Sequence, residues 1–224
     1  LHERPDDNFA ASYLGGDNED YDSIKHRPND ILQGTGRAYQ RLHTLADQVA
    51  ASGEAYVALT QLLDVPDFIH YMLVNYYVGN TDWAHHNWYA SHHRTTASGR
   101  WRFHSWDAEK GLHHVNDDRT GRNDSGGPTN LHHDLVQNTE YRLQFADRAY
   151  AALRWGPLSP TAARHSYRHI SDLISLPLRA ESARWGDNHR ARPYTRLDWL
   201  ETRHQLFGTS TQVSSPLFDY FERR

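Results

Sequence analysis

Cysteine is absent from the 224 residues. That excludes disulfides and zinc–thiolate sites, and it leaves the redox compartment open. Long apolar runs are absent too. Nothing approaches the roughly 20 residues that a membrane span needs, and mean hydropathy is −0.86. Positive charge is not in excess. Lys and Arg number 24 against 28 Asp and Glu, so net charge is −4 with neutral histidines. No broad basic surface is implied, and nucleic acid is not an expected partner. Several catalytic signatures are missing as well: there is no G-x-S-x-G, no P-loop and no H-E-x-x-H. The opening LHERPDDNF has neither an initiator Met nor a signal-peptide pattern. The chain therefore reads as a fragment that lacks an upstream part.

What is present is aromatic. Seven Trp, thirteen Tyr and seven Phe can build a core, because each buries a large area. The length suits one large domain or two small ones. The seventeen His would change charge between about pH 5 and 8.

Residues 1–36 are rich in Gly, Asp, Asn and Pro, and read as turns with short strands. Apolar residues at 38, 42, 45, 46 and 49 keep helical spacing over Arg37–Ala51. A second helix is expected over Glu54–Leu63. In DVPDFIHYMLVNYYVGN, Pro66 suits a first helical turn, and apolar residues cover most of the circumference. Such a helix is buried, and Gly79 and Asn80 end it. NWYASHH and RWRFHSW flank TTASG and predict a hairpin. Residues 113–138 are polar and Gly-rich, the pattern of a functional or mobile loop. Helices are expected again over Tyr141–Trp155, behind Ser159-Pro160, and over Leu197–Phe207.

The chemistry lies between Gly79 and Gly111. Phosphoryl transfer needs a carboxylate to orient and deprotonate the attacking hydroxyl, and hard oxygen ligands to hold Mg²⁺ against the phosphates. Protein kinases meet this need with an Asp after a buried helix, an Asn five residues later, and a second Asp beyond a short hairpin. Here Asp82, Asn87 and Asp107 have that layout. Asp82 is the candidate catalytic base, and Asn87 and Asp107 are the candidate metal ligands. Glu109 could add an oxygen. Taken singly, each has an ordinary reading as a turn or capping residue.

The run FIHYMLVNYYVGNTDWAHHNWYA…GRWRFHSWDAEKGL resembles the CotH kinase family, atypical bacterial protein kinases. The family pattern is a helix, a G-N-x-D-x-x-x-x-N loop, and a strand ending in W-D-x-D. HERPDDNFAASYLGG, YDSIK, TEYRLQFADRAY, GPLSP and AESARWGD resemble the form found in large secreted bacterial proteins. The likeness spans nearly the whole chain. It implies an α+β, atypical protein-kinase-like fold, mainly a helical C-lobe, with a β-hairpin at the active site and an incomplete N-lobe. Residues 1–36 would be a remnant of the N-lobe and hinge, and 37–224 the C-lobe, with the catalytic loop at 79–111. It also implies ATP, Mg²⁺ (Mn²⁺ and Ca²⁺ being alternatives), transfer to Ser or Thr of a protein, and a secreted or cell-surface setting. Asp82 matches the catalytic Asp and Asp107 the metal-binding Asp. Glu3, with Lys25 near it, is expected at the nucleotide. Two features depart from pattern. Glu109 replaces the last carboxylate of W-D-x-D, and no His-Arg precedes Asp82. A phosphate-covering loop and a nucleotide-pairing Lys would belong to the missing upstream part.

Histidines 85–86, 92–93, 113–114 and 132–133 form adjacent pairs. Neighbours on a strand point to opposite faces, so such pairs are not expected to chelate one ion, although His85 or His86 could touch phosphate. In AESARWGD, ion pairs among Glu181, Arg184 and Asp187 over a packed Trp185 are expected. Lys110, Arg119 and Arg122 either steer phosphate or line a solvated loop. Two rivals to the kinase remain: a non-catalytic kinase-like structural or binding module, and a metal-dependent phosphohydrolase.

Overall fold

The computed structural model describes residues 3–188, 191–207 and 220–223. The chain is α+β, and its residues divide into two units. The first comprises residues 1–111 and 117–150, and the second residues 112–116 and 151–224. None of the helices among the described residues is long and apolar enough to cross a membrane.

The first unit opens with α1 (Asp7–Leu14). The sequence reading missed this helix among the turn residues. Its start is local chemistry: the Asp6 side chain accepts from the Asn8 and Phe9 backbone amides. A short 3₁₀ turn leads into β1 (Tyr21–Lys25) and β2 (Ile31–Gln33). Helices α2 (Arg37–Ala46), α3 (Gly53–Thr60) and α4 (Val65–Tyr77) follow, then β3 (Trp88–His93) and β4 (Arg102–Ser105). The strands form one antiparallel sheet in the order β2-β1-β3-β4. The strands of the first 36 residues thus belong to the same sheet as the hairpin.

Register assigns the faces. Ile24 lies opposite Ala90, and Ala90 opposite Phe103. Opposed residues share a face, so these three point to one side. That side meets Tyr39 of α2 and Phe68 and Tyr71 of α4, with ring centroids 5.1–6.3 Å from Phe103. Ser23, Ser91 and Arg102 take the other face, with Lys25, Tyr89 and His104. Phe9 of α1 packs on His104 there, at 5.4 Å. The central strand β3 is covered on both sides, and its residues 88–92 are all buried.

Helix α4 is buried as its all-round apolar pattern predicts. Asp64 caps it by accepting from the Asp67 amide at 3.2 Å, and its second oxygen pairs with Arg102 at 2.9 Å. The Trp101 amide donates to Leu62 at 2.6 Å, and its carbonyl accepts from Asp64. The start of α4 is thereby fastened to the start of β4. The polar stretch 113–138, read as a loop, contains α5 (Pro128–Leu135), and α6 (Thr139–Arg154) follows it. Pro128 at the first turn and buried Leu131 and Leu135 were the signal for α5.

The second unit holds α7 (Pro160–Ile174), α8 (Leu178–Trp185), α9 (Arg196–Phe207) and α10 (Tyr220–Arg223). Tyr167 of α7 packs on Phe221 of α10 at 6.0 Å. In AESARWGD, Arg184 lies 4.9 Å over the Trp185 ring. Trp185 is half exposed rather than packed beneath.

Candidate active site

The site grows out of the end of α4. Gly79 takes φ 60°, a left-handed conformation that ends the helix. Asn80 is fully buried, and its Oδ1 accepts from the Asp82 amide at 3.2 Å. That side-chain turn sets the start of the loop. Trp83 and Trp88, both fully buried, anchor its two ends. Trp83 Nε1 donates to the Tyr71 hydroxyl on α4 at 2.7 Å. The intervening residues 84–87 form bends between the two anchors.

Asp82 and Asn87 meet. Asn87 Nδ2 donates to Asp82 Oδ2 at 3.2 Å. Asn87 is buried and holds φ 62°, a region in which Asn is over-represented among non-glycine residues. Its Oδ1 makes no hydrogen bond among the described residues. Asp82 is partly exposed, so the loop presents one carboxylate to solvent and backs it with an amide.

A residue that sequence reasoning missed holds this loop from behind. His26, just after β1, accepts the Asn87 backbone N–H on Nδ1 at 2.9 Å. His26 N donates in turn to the Trp88 carbonyl at 2.8 Å. Burial, then the neighbouring Lys25 charge, lower the His26 pKa. The neutral ring is the form that can accept. Its positive φ of 57° marks the position in the structure, but nothing in the sequence links residues 26 and 87.

Asp107 follows β4 by two residues, also at positive φ, 50°. Its side chain is exposed, as is that of Glu109. Asp107 makes no hydrogen bond or ion pair with Asp82 or Asn87 among the described residues. Asn75 of α4 donates to Ser105 Oγ at 3.2 Å, which ties the end of β4 to the helix that carries the loop. The Thr81 amide donates to the Lys110 carbonyl, joining the two loops directly. Lys25 lies opposite Tyr89 and next to His26, at the end of β1 nearest the loop. Glu3 is placed elsewhere. It lies by Tyr13 of α1, whose hydroxyl pKa its carboxylate raises, and Tyr13 lines a cleft with Tyr21 and His93, at the far end of β1 from Lys25. Arg122 is bound to Asp124 by two contacts, at 3.1 and 2.6 Å, and so is tied to its own loop.

The hard oxygen donors of this region are the Asn87 amide oxygen and the carboxylates of Asp82, Asp107 and Glu109, carried on two loops joined by the Thr81–Lys110 bond. Of these, the structure brings Asp82 and Asn87 into contact.

His85 and His86 are not on a strand. They lie in the turn, so alternation does not separate them, and both rings approach Asp82. His86 Nε2 is 3.3 Å and His85 Nε2 3.8 Å from Asp82 Oδ1.

A family model described as CotH kinase protein matches residues 4–206. No curated protein matches the chain, and no solved structure does.

Proposed function

The chain belongs to the CotH kinase family, and from that premise we propose that it transfers phosphate from ATP to Ser or Thr hydroxyls of a protein, outside the cell or at its surface. The supporting observation is the Asn87–Asp82 hydrogen bond of 3.2 Å. It fixes the candidate base and a candidate metal ligand within one loop, as the reaction requires. Asp82 accepts the proton of the attacking hydroxyl. Asn87 orients the Asp82 carboxylate through Nδ2 and leaves Oδ1 for a metal. Asp107 and Glu109 add carboxylate oxygens from the next loop. When bound, Mg²⁺–ATP supplies the transferable phosphoryl group and the charge that neutralises it. His26 holds Asn87 from behind, so the loop needs no reorganisation at the moment of transfer. We place this chemistry on an atypical kinase-like fold, with Lys25 at the nucleotide side of the sheet.

Calorimetry with ATP and Mg²⁺, joined to a phosphate-transfer assay, tests the reading. Asp107→Ala is expected to abolish Mg²⁺-dependent ATP binding. Asp82→Ala is expected to keep binding and to lower transfer by about 10²–10⁴-fold, the usual contribution of a positioned base. Absence of ATP binding by the unaltered chain would favour a non-catalytic module that retains the fold. ATP hydrolysis without dependence on an acceptor protein would favour a phosphohydrolase.

A further inference from the structure

The catalytic loop carries a second donor set of different chemistry. One ring nitrogen each of His85 and His86 and a carboxylate oxygen of Asp82 all lie within 4.8 Å of one another. The His86–Asp82 and His85–Asp82 separations are 3.3 and 3.8 Å. A tetrahedral zinc ion with bonds of about 2.1 Å holds its ligand atoms about 3.4 Å apart. The two imidazole rings meet edge to face with centroids 4.0 Å apart, and both bring Nε2 toward the same carboxylate oxygen, Asp82 Oδ1.

The carboxylate is already oriented for this role. Asp82 Oδ2 is held by Asn87 Nδ2, while Oδ1 faces the two histidines. A ligand carboxylate steadied by an amide through its other oxygen is the usual outer-shell arrangement of metal sites. A neighbouring His26 ring, 6.1 Å from His86, is not a competing ligand through Nδ1, because that nitrogen accepts from Asn87. All three ligand side chains are 32–47% exposed, so an ion can enter without opening the core.

We propose that Asp82, His85 and His86 form a binding site for a borderline divalent cation of the zinc class, with a fourth position open to solvent. Two imidazoles and one carboxylate favour zinc over the hard Mg²⁺ ion, which prefers oxygen ligands throughout. The site shares Asp82 with the candidate base. Its consequence therefore rests on the reading above: zinc bound here occupies the carboxylate that must accept the hydroxyl proton, and transfer stops. The zinc-class ion acts as an inhibitor, not as the metal of the reaction.

The test is a ZnCl₂ titration of the 224-residue chain by calorimetry, without nucleotide and in excess Mg²⁺. One strong zinc site per chain is expected. The His85→Ala/His86→Ala double variant is expected to bind zinc at least tenfold more weakly. Both side chains are at the surface, and circular dichroism checks that the variant folds. Co²⁺ in place of zinc gives a second readout: a tetrahedral visible absorption band in the unaltered chain that the double variant lacks. Unchanged zinc affinity in the double variant would overturn the proposal, since the ion would then sit among other histidines. A transfer assay separates this proposal from the catalytic one. Transfer lost on zinc addition and restored by a chelator is the expected result. Undiminished transfer at saturating zinc would overturn the blocking role. No transfer in zinc-free buffer would overturn the proposed phosphate transfer, while the titration still decides the metal site.

Discussion

Mild acid should unfold the first unit, and the cause is three histidines kept neutral by burial. His43, His104 and His132 have pKa values lowered to about 4, in each case chiefly by desolvation. His104 Nε2 meets Ser91 Oγ at 2.8 Å, and His132 Nδ1 meets the Tyr141 hydroxyl at 2.8 Å. His43 Nε2 is buried with no hydrogen-bond partner among the described residues. In the unfolded chain each ring titrates near 6.5. Between pH 6.5 and about 4 the unfolded state therefore binds protons that the folded state refuses. Stability is fully present above that window and is lost as pH falls through it. At pH 5 each ring lies about 1.5 units below its unfolded pKa and above its folded one, a loss of about 2 kcal/mol per histidine. Three such rings remove about 5–6 kcal/mol, comparable with the whole stability of an ordinary domain. Partly buried Asp67 and Asp134, whose pKa values desolvation raises, work the other way and offset part of this loss. Urea unfolding at pH 7, 6 and 5, followed by the fluorescence of buried Trp83, Trp88 and Trp101, measures the sum. His104→Gln isolates one contribution, because the amide keeps a partner for Ser91 and cannot titrate. Its loss between pH 7 and 5 should be smaller than that of the unaltered chain by about 2 kcal/mol. An identical pH dependence in the two proteins would refute the reasoning.

Further expectations concern the loop and its supports. Asn87→Gly keeps a residue suited to φ 62° and removes the hydrogen bond to Asp82. Stability should change by no more than about 1 kcal/mol, while calorimetry should show Mg²⁺-dependent ATP binding lost. Trp83→Phe removes the bond to the Tyr71 hydroxyl and leaves a void beside it. A loss of about 2–4 kcal/mol is expected in urea unfolding. Gly34 holds φ 74°, and a Cβ there would collide with the Asp22 carboxylate, the Arg94 side chain and the Tyr21 carbonyl. Gly34→Ala should therefore cost about 1–3 kcal/mol, read as a lowered thermal midpoint. Asp22 is buried, accepts from the Thr35 amide at 2.6 Å, and faces His92 and Arg94, each at 3.5 Å. Asp22→Ala strands these groups and should cost about 3–5 kcal/mol by the same unfolding assay.

The sequence by itself determined the parts governed by local physics. The apolar pattern of Val65–Tyr77 and the helix-ending Gly79 are properties of a few neighbouring residues. So is the five-residue interval that lets Asn87 reach back to Asp82. The aromatic flanks of the hairpin announced β3 and β4 for the same reason. Even the missed α1 had a local signal in Asp6, obscured by surrounding turn formers that favour caps and helix starts alike. Tertiary structure decided the rest, because long-range pairing has no period in the chain. Only the pairing of β1 with β3 brings His26 to Asn87, 61 residues away. Only the fold separates Glu3 from Lys25, by placing them toward opposite ends of β1. The histidine pair shows the difference most directly. Residues 85 and 86 would diverge on a strand and converge on Asp82 in a turn. Which of these occurs depends on two buried tryptophans, Trp83 and Trp88, whose positions the core sets.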